Sequence, residues 1–374
     1  MKTIYSYQPP LSGKKIGVVF GSFAPLHQGH LDEIMRAKKE NDGGCIVIVC
    51  GYDGDKGEPI MPHKKRYRYV REFFADDELV SVYAINDTAL GIANYPHGWE
   101  LWLKEFFNIW SFAVAEDSRN AQRTWYVGEK DYQEGLQVRG EKAILLDRTK
   151  NPISATMIRQ NPIKHWDKIT TPFKRVFSTN ILIAGTASEG KTTLVQDLGK
   201  YFNAPYSWEW ARDYMKESCV DDTELDGADF MAFLQGQHSL NKKLINSPAN
   251  NGVFFADTDS LVTRMYAEYY MRDNNFTMTE SEFNTVAAMA DELTAKCRWD
   301  KIFLLCPHGK FVDDHTRYMG HSEMKERKEL FDLLCDNFKR AGLWDKVQII
   351  NGGYYDNFIT IVNYVKGIIE NGKY

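Results

Sequence analysis

The sequence predicts an α/β protein of two domains, each a parallel sheet with helices packed on both faces. Three observations carry this. Short apolar runs alternate with amphipathic stretches along all 374 residues, the pattern that builds parallel sheets through helical crossovers. Two glycine-rich segments, 21–30 and 185–192, each follow an apolar run (16–20 and 181–184) and each open a helix-like stretch, the setting that a phosphate-binding turn requires. Between the halves, 161–178 carries Pro162 and Pro172 among lysines and threonines without a strand-like run. That break divides the chain into a first domain over 1–165, a linker over 166–178 and a second domain over 179–374.

In the first half, apolar and β-branched runs predict strands over 15–20, 45–50, 79–84, 111–115, 124–127 and 143–146. Amphipathic spacing predicts helices over 28–39, 64–74, 99–107 and 154–160. In the second half, strands are expected over 180–184, 253–256, 302–305 and 347–350, with a helix opening at the second glycine-rich segment. No internal repeat is visible, so the halves are different domains and not a duplication.

Composition narrows the function classes. A hydrophobic content of 43% is that of a globular chain able to fill two cores. The formal charge of −5 lacks the basic excess of a nucleic-acid binder, and no Lys/Arg block is long enough to act as an electrostatic footprint. No stretch approaches the length of a membrane-spanning helix, and 1–10 has no apolar signal core, so a cytoplasmic protein is expected, not embedded in a membrane. The six cysteines are scattered without a C-x-x-C, which fits reduced thiols better than disulfides or a zinc site. Homo-oligomerisation is left open.

The first glycine-rich segment reads G-x-F-x-P-x-H-x-G-H. Gly21, Ser22 and Phe23 form its turn, and His27 and His30 stand three apart at the strand-to-helix junction. There both imidazoles can face a triphosphate held at a helix N-terminus. Nucleotidyl transfer needs positioning and neutralisation of developing charge more than covalent help, which paired histidine donors with Mg²⁺ supply. The competing reading is of capping or core histidines. Downstream, Ser154 is an N-cap candidate, and the helix it starts would point backbone N–H groups and the Thr156 hydroxyl at an anion, with Arg159 one turn on as a charged clamp. Together these motifs resemble the adenylyltransferase superfamily, which joins ATP to a phosphorylated acceptor with release of pyrophosphate on a Rossmann-like parallel sheet. Ala24 stands where many superfamily members carry aspartate.

The second segment is a full P-loop match, G-x-x-x-x-G-K-T: Gly185, Ser188, Glu189, Gly190, Lys191 and Thr192, followed by Thr193. Its backbone N–H groups would wrap phosphate, Lys191 would reach the β/γ oxygens, and Thr192 would ligate Mg²⁺. The apolar run 253–256 ends in Asp257, the form of a metal-side carboxylate, whereas Asp259 is the better candidate for capping the next helix. Beyond the P-loop helix, Trp208, Glu209, Trp210, Arg212 and Asp213 combine carboxylates with flat aromatic faces. Glu209 or Asp213 could take a proton from an acceptor hydroxyl and a tryptophan could stack on a ring, although each tryptophan reads equally well as core. The polar, aperiodic stretch 306–317 reads as a lid over the nucleotide, with Arg317 stabilising transferred charge; an ordinary solvated loop competes.

The order of the histidine motif, the Y-V-G-E-K-D-Y of 126–132, Asp147-Arg148, S-x-T-x-x-R, the P-loop, W-E-x-A-R and V-D-D-x-x-R resembles the NadR-type bifunctional enzymes across nearly the whole chain. That family joins a nicotinamide-nucleotide adenylyltransferase to a ribosylnicotinamide kinase. The resemblance implies a Rossmann-like nucleotidyltransferase sheet followed by a P-loop kinase sheet. It implies ATP on Gly21, Ser22, Phe23, His27, His30, Ser154, Thr156 and Arg159 in the first site. In the second it implies phosphates on Gly190, Lys191, Thr192 and Thr193, metal on Asp257, and the riboside near Glu209 or Asp213. Expected small-molecule partners are nicotinamide riboside, nicotinamide mononucleotide, ATP and NAD, with Tyr95 and Trp99 as candidates to stack on nicotinamide. Some members carry an N-terminal helix-turn-helix; only about fifteen residues precede the first strand here, so a regulator role is not expected. Two other readings stay open: a bifunctional coenzyme A biosynthesis enzyme and a non-catalytic nucleotide sensor. The W-E-x-A-R and V-D-D-x-x-R segments count against the first, and intact His27, His30, Lys191 and Thr192 against the second.

Overall fold

The structure, a computed structural model, describes residues 8–51, 61–147, 149, 151–273, 278–308 and 323–371. They divide into two compact units, one ending at Phe177 and the other spanning Ser178–Asn371. Arg317 and most of the expected lid, from residue 309 on, lie outside the described residues, as does Arg148.

The first unit runs β1 (Lys15–Gly21), α1 (Gln28–Lys39), β2 (Cys45–Cys50), α2 (His63–Phe73), β3 (Val80–Ile85), α3 (Trp99–Ala113), β4 (Gln122–Val127), α4 (Lys130–Gln137), β5 (Lys142–Leu145), α5 (Ala155–Gln160) and α6 (Thr171–Phe177). Its five strands are all parallel, in the order β3-β2-β1-β4-β5. Strand order reverses direction at β1, so the loop leaving β1 opens at the switch point where such sheets bind ligands. β2 is buried at every position, as an apolar run in a sheet covered on both faces must be.

The second unit runs β6 (Thr179–Gly185), α7 (Lys191–Phe202), β7 (Tyr206–Ser207), α8 (Trp210–Ser218), α9 (Gly227–Ile245), β8 (Val253–Asp257), α10 (Ser260–Arg272), α11 (Glu280–Lys296), β9 (Lys301–Leu305), α12 (Met324–Arg340), β10 (Val347–Ile350) and α13 (Tyr354–Asn371). Its sheet order is β10-β9-β6-β8-β7, again all parallel. β6 is central, and β8 beside it carries Asp257 to the P-loop side; Ile183 and Asp257 are register partners.

Two sequence expectations are corrected. The strand expected over 111–115 is absent, because α3 continues to Ala113. Trp99, Trp102, Leu103, Phe106, Ile109, Trp110 and Ala113 are buried at helical spacing, and burial of that face outweighs the β propensity of its aromatics. Only an isolated bridge, Val114 with Leu11, remains there. The stretch read as a linker, 166–178, carries a 3₁₀ turn at Trp166–Lys168 and then α6, whose Phe173, Val176 and Phe177 enter the first unit's core with Trp166 and Ile169. Pro172 does not break this helix because it occupies the first turn, where no intrahelical N–H is needed. β7, two residues long, was not foreseen.

Candidate active sites

In the first unit the chain leaves β1 through Gly21 and Ser22, and Phe23 takes a left-handed φ of 47° that turns it towards α1. His27 is the N-cap residue of α1 and is 4% exposed. Its ring stacks on His30 at 3.8 Å with an interplanar angle of 26°, and Phe23 meets His30 edge-on at 5.0 Å. A Cβ at position 29 would stand 3.1–3.2 Å from the His27 ring, so any larger residue there must push that ring aside by a few tenths of an ångström. Arg66, wholly buried, donates to the carbonyls of Ser22, Cys50 (2.8 Å), Gly51 (2.7 Å) and Met61 (2.9 Å), so it ties the turn after β1 to the end of β2.

These groups face a cavity of about 730 Å³. Gly21, Ser22, His27, Gly29 and His30 line one side; Ser154 and Thr156 line another; Tyr95, Trp99, Trp102 and Tyr132 form an aromatic wall. Segments more than a hundred residues apart in sequence thus meet in one space. Ser154 caps α5 by accepting from the Met157 N–H at 3.2 Å. Arg159 does not extend into this cavity as a clamp. It donates to the Ala24 carbonyl at 2.6 Å and to the Thr156 hydroxyl at 3.2 Å, bracing the histidine turn against α5. Trp99 stacks on Trp102 (5.4 Å, 7°) and on Tyr132 (5.8 Å, 23°), with Tyr95 edge-on at 5.4 Å. Trp99 is thus core on one face and cavity wall on the other. Asp32, Glu33, Arg36 and Trp102 also line the cavity without having been singled out; they read as ordinary helix-face residues in the sequence.

In the second unit the P-loop backbone has the conformations that its glycines permit. Gly185 has φ 150°, Gly190 has φ 76°, and Ser188, a non-glycine, has φ 64°. Gly190 is the N-cap of α7, so Lys191, Thr192 and Thr193 open the helix. The Lys191 ammonium donates to the Thr186 carbonyl at 2.7 Å, and the Thr192 hydroxyl donates to Asp257 Oδ2. The other Asp257 oxygen, Oδ1, is buried without a hydrogen-bond partner. Burial pushes the Asp257 carboxyl up to about 6, with the Lys191 ammonium pulling the other way. An orphaned carboxylate oxygen beside a threonine hydroxyl is a hard, all-oxygen donor set, which fits Mg²⁺. Asp259 fills the structural role, capping α10 through the Leu261 and Val262 N–H groups and accepting from Trp299 Nε1 at 3.0 Å.

A smaller cavity of about 90 Å³ adjoins the P-loop, lined by Lys191, Glu209, Arg212, Thr258 and several apolar and tyrosine side chains. Glu209 is the N-cap residue of α8 and accepts from Arg212 Nε at 2.7 Å. The two candidate carboxylates separate here. Asp213 is not among the lining residues, and its carboxylate accepts from Trp208 Nε1 at 2.6 Å on an exposed face. Neither tryptophan faces the cavity: Trp208 is 40% exposed, and Trp210 packs so closely on α9 that a Cβ on Gly236 would stand 2.3 Å from its indole. The rings in this cavity are Phe230, Phe233, Tyr266 and Tyr270. Asp222, Gln237 and Thr258 also line it. The sequence carried little signal for them, since Asp222 looks like one acid of a helix-capping run. Thr258, with φ 85°, holds a strained turn after β8.

A nucleotidyltransferase-type sheet with paired histidines at its switch point, followed by a P-loop sheet with a cavity beside its lysine, has the form of a protein with two nucleotide sites. The family described as Cytidylyltransferase-like matches residues 18–161, and the AAA domain family matches residues 180–356. The chain belongs to the NadR family. It is 31% identical over 372 residues to the trifunctional NAD biosynthesis/regulator protein NadR of Salmonella typhimurium, covering 96% of this chain and 84% of that protein. With the protein of the same description from Escherichia coli it is 30% identical over 375 residues, again covering 96% and 84%. A crystal structure of a NadR protein in complex with NR superposes with a TM-score of 0.84 at 35% identity, covering 98% of this chain and 99% of that one. Another, in complex with NAD and AMP-PNP, gives 0.82 at 36% identity, covering 96% and 98%.

Proposed function

We propose that this chain is a bifunctional enzyme of NAD salvage. The second unit phosphorylates nicotinamide riboside with ATP, and the first adenylylates the resulting mononucleotide with ATP to give NAD and pyrophosphate. The observation that carries the reading is the likeness, over 98% of the chain at 35% identity, to a NadR protein bound to NR, in a chain whose cavities are lined by His27 and His30 in one unit and by Lys191 and Glu209 in the other.

In the kinase unit the riboside hydroxyl oxygen attacks the γ-phosphorus and the bond to the bridging oxygen of ADP breaks. Glu209 takes the hydroxyl proton, oriented by its bond to Arg212. Lys191 leaves the Thr186 carbonyl to meet phosphate oxygens, and the P-loop N–H groups hold the rest. Thr192 and Asp257 would hold Mg²⁺, which neutralises charge on the β- and γ-phosphates when bound. In the adenylyltransferase unit an oxygen of the mononucleotide phosphate attacks the α-phosphorus and pyrophosphate departs. His27 and His30 donate to the phosphate oxygens, and Ser154 and Thr156 border the same anion. The aromatic wall of Tyr95, Trp99 and Tyr132 suits a flat ring beside it.

Incubation with ATP, Mg²⁺ and nicotinamide riboside, followed by chromatographic separation, tests the reading. The riboside should give mononucleotide and then NAD. Failure to consume the riboside, with supplied mononucleotide also unconverted, would sink it.

A further inference from the structure

Behind the P-loop lies a buried ion pair that phosphate binding alone does not explain. The Glu189 side chain, one residue before Gly190, has no solvent exposure and pairs with the guanidinium of Arg327, which is 2% exposed and stands in the first turn of α12. Arg327 also donates to the His308 carbonyl at 3.0 Å. Glu189 in turn accepts from the His308 backbone N–H at 3.2 Å, and the His308 Nδ1 stands 3.1 Å from the same carboxylate. The network continues into the site: the Thr186 hydroxyl contacts Glu189 Oε1 at 3.3 Å, and the Thr186 carbonyl is the group that holds the Lys191 ammonium.

A carboxylate has the wrong sign for a loop that must cradle a polyphosphate. Buried, it would repel the nucleotide at low dielectric unless a cation cancels it. We propose that Arg327 is a charge-compensating positioning residue for the kinase site, and that Glu189 anchors the P-loop through it and is not itself a nucleotide ligand. The pair fixes the loop to the end of β9 and to α12, and through Thr186 it sets the carbonyl from which Lys191 moves to phosphate. The inference rests on the kinase reading of this unit.

The test is the opposite sign expected of two single changes. Arg327→Met leaves a buried negative charge beside the P-loop and should raise the KM for ATP in riboside phosphorylation by roughly tenfold or more, the scale of one uncompensated charge near a polyanion. Glu189→Gln keeps an acceptor for the His308 N–H, and so the anchor, but leaves a net positive charge there and should lower that KM. The double variant should fall closer to the unmodified protein than Arg327→Met alone, and Arg327→Lys should rescue most of the loss if the larger truncation folds poorly. The KM for riboside and the rate of mononucleotide adenylylation should not move in any of them. Two-site calorimetric titration with AMP-PNP gives the same comparison without depending on the acceptor, and only one of its two sites should respond. If the unmodified protein leaves riboside untouched, the kinase reading fails, and the titration still decides this inference. Equal weakening of nucleotide binding by Arg327→Met and Glu189→Gln means a scaffold with no electrostatic role, and overturns it.

Discussion

At the scale of single residues, the acceptor-side carboxylate is the choice that the structure sharpens most. Glu209 lines the cavity beside Lys191, whereas Asp213 is held by an exposed tryptophan outside it. Glu209→Gln should therefore lower kcat for riboside phosphorylation by roughly 10²–10⁴ with little change in the KM for ATP. Asp213→Asn should leave both constants near their starting values; steady-state kinetics of the two proteins, with melting curves to verify folding, separate the cases. A second residue gives a pH signature. Asp87, fully buried, accepts from the Gly51 N–H at 3.1 Å, and burial pushes its carboxyl up to about 6. Because the folded state favours the protonated form, the stability it contributes is fullest below the unfolded value near 4 and is lost as pH rises through about 6. Asp87→Asn should thus gain in Tm relative to the unmodified protein at pH 8, and the gain should vanish near pH 4. An equal Tm difference at both pH values would count against this assignment. The sequence offered Glu209 as one of two candidates through its setting between aromatics, but gave no signal for Asp87, since nothing in Asn-Asp-Thr announces burial.

At the scale of elements, the strand-loop-helix joints were legible because each depends on a few residues with restrictive backbone or contact needs. Gly29 shows how tight that requirement is, with the His27 ring in contact range of any added Cβ. Gly29→Ala should displace His27 and cut adenylylation by about tenfold or more while the fold and riboside phosphorylation survive, since a misplaced catalytic group costs rate before it costs stability. Initial rates of both reactions on one preparation measure this; a full adenylylation rate would show that the histidine tolerates the shift. The end of α3 and the identity of α6 were less legible for a common reason. Burial against a partner, visible only in three dimensions, decided a helix at 111–113 and turned a proline-bearing stretch into core. The aromatics expected to line the acceptor cavity illustrate the same limit. Trp210 is fixed by Gly236 across a helix interface, and the cavity takes its rings from α9 and α10.

At the scale of the whole molecule, the two units each present one phosphate-handling loop at the centre of their own parallel sheet. The central claim is that one chain carries out two successive nucleotide reactions at separate sites. Removing the charge that meets the γ-phosphate should then stop one reaction and spare the other. The most direct measurement is Lys191→Ala assayed with each substrate in turn: riboside phosphorylation should be abolished while supplied mononucleotide is still converted to NAD, with His30→Ala giving the mirror-image result. Loss of both activities in a folded Lys191→Ala protein, or retention of riboside phosphorylation, would contradict the account.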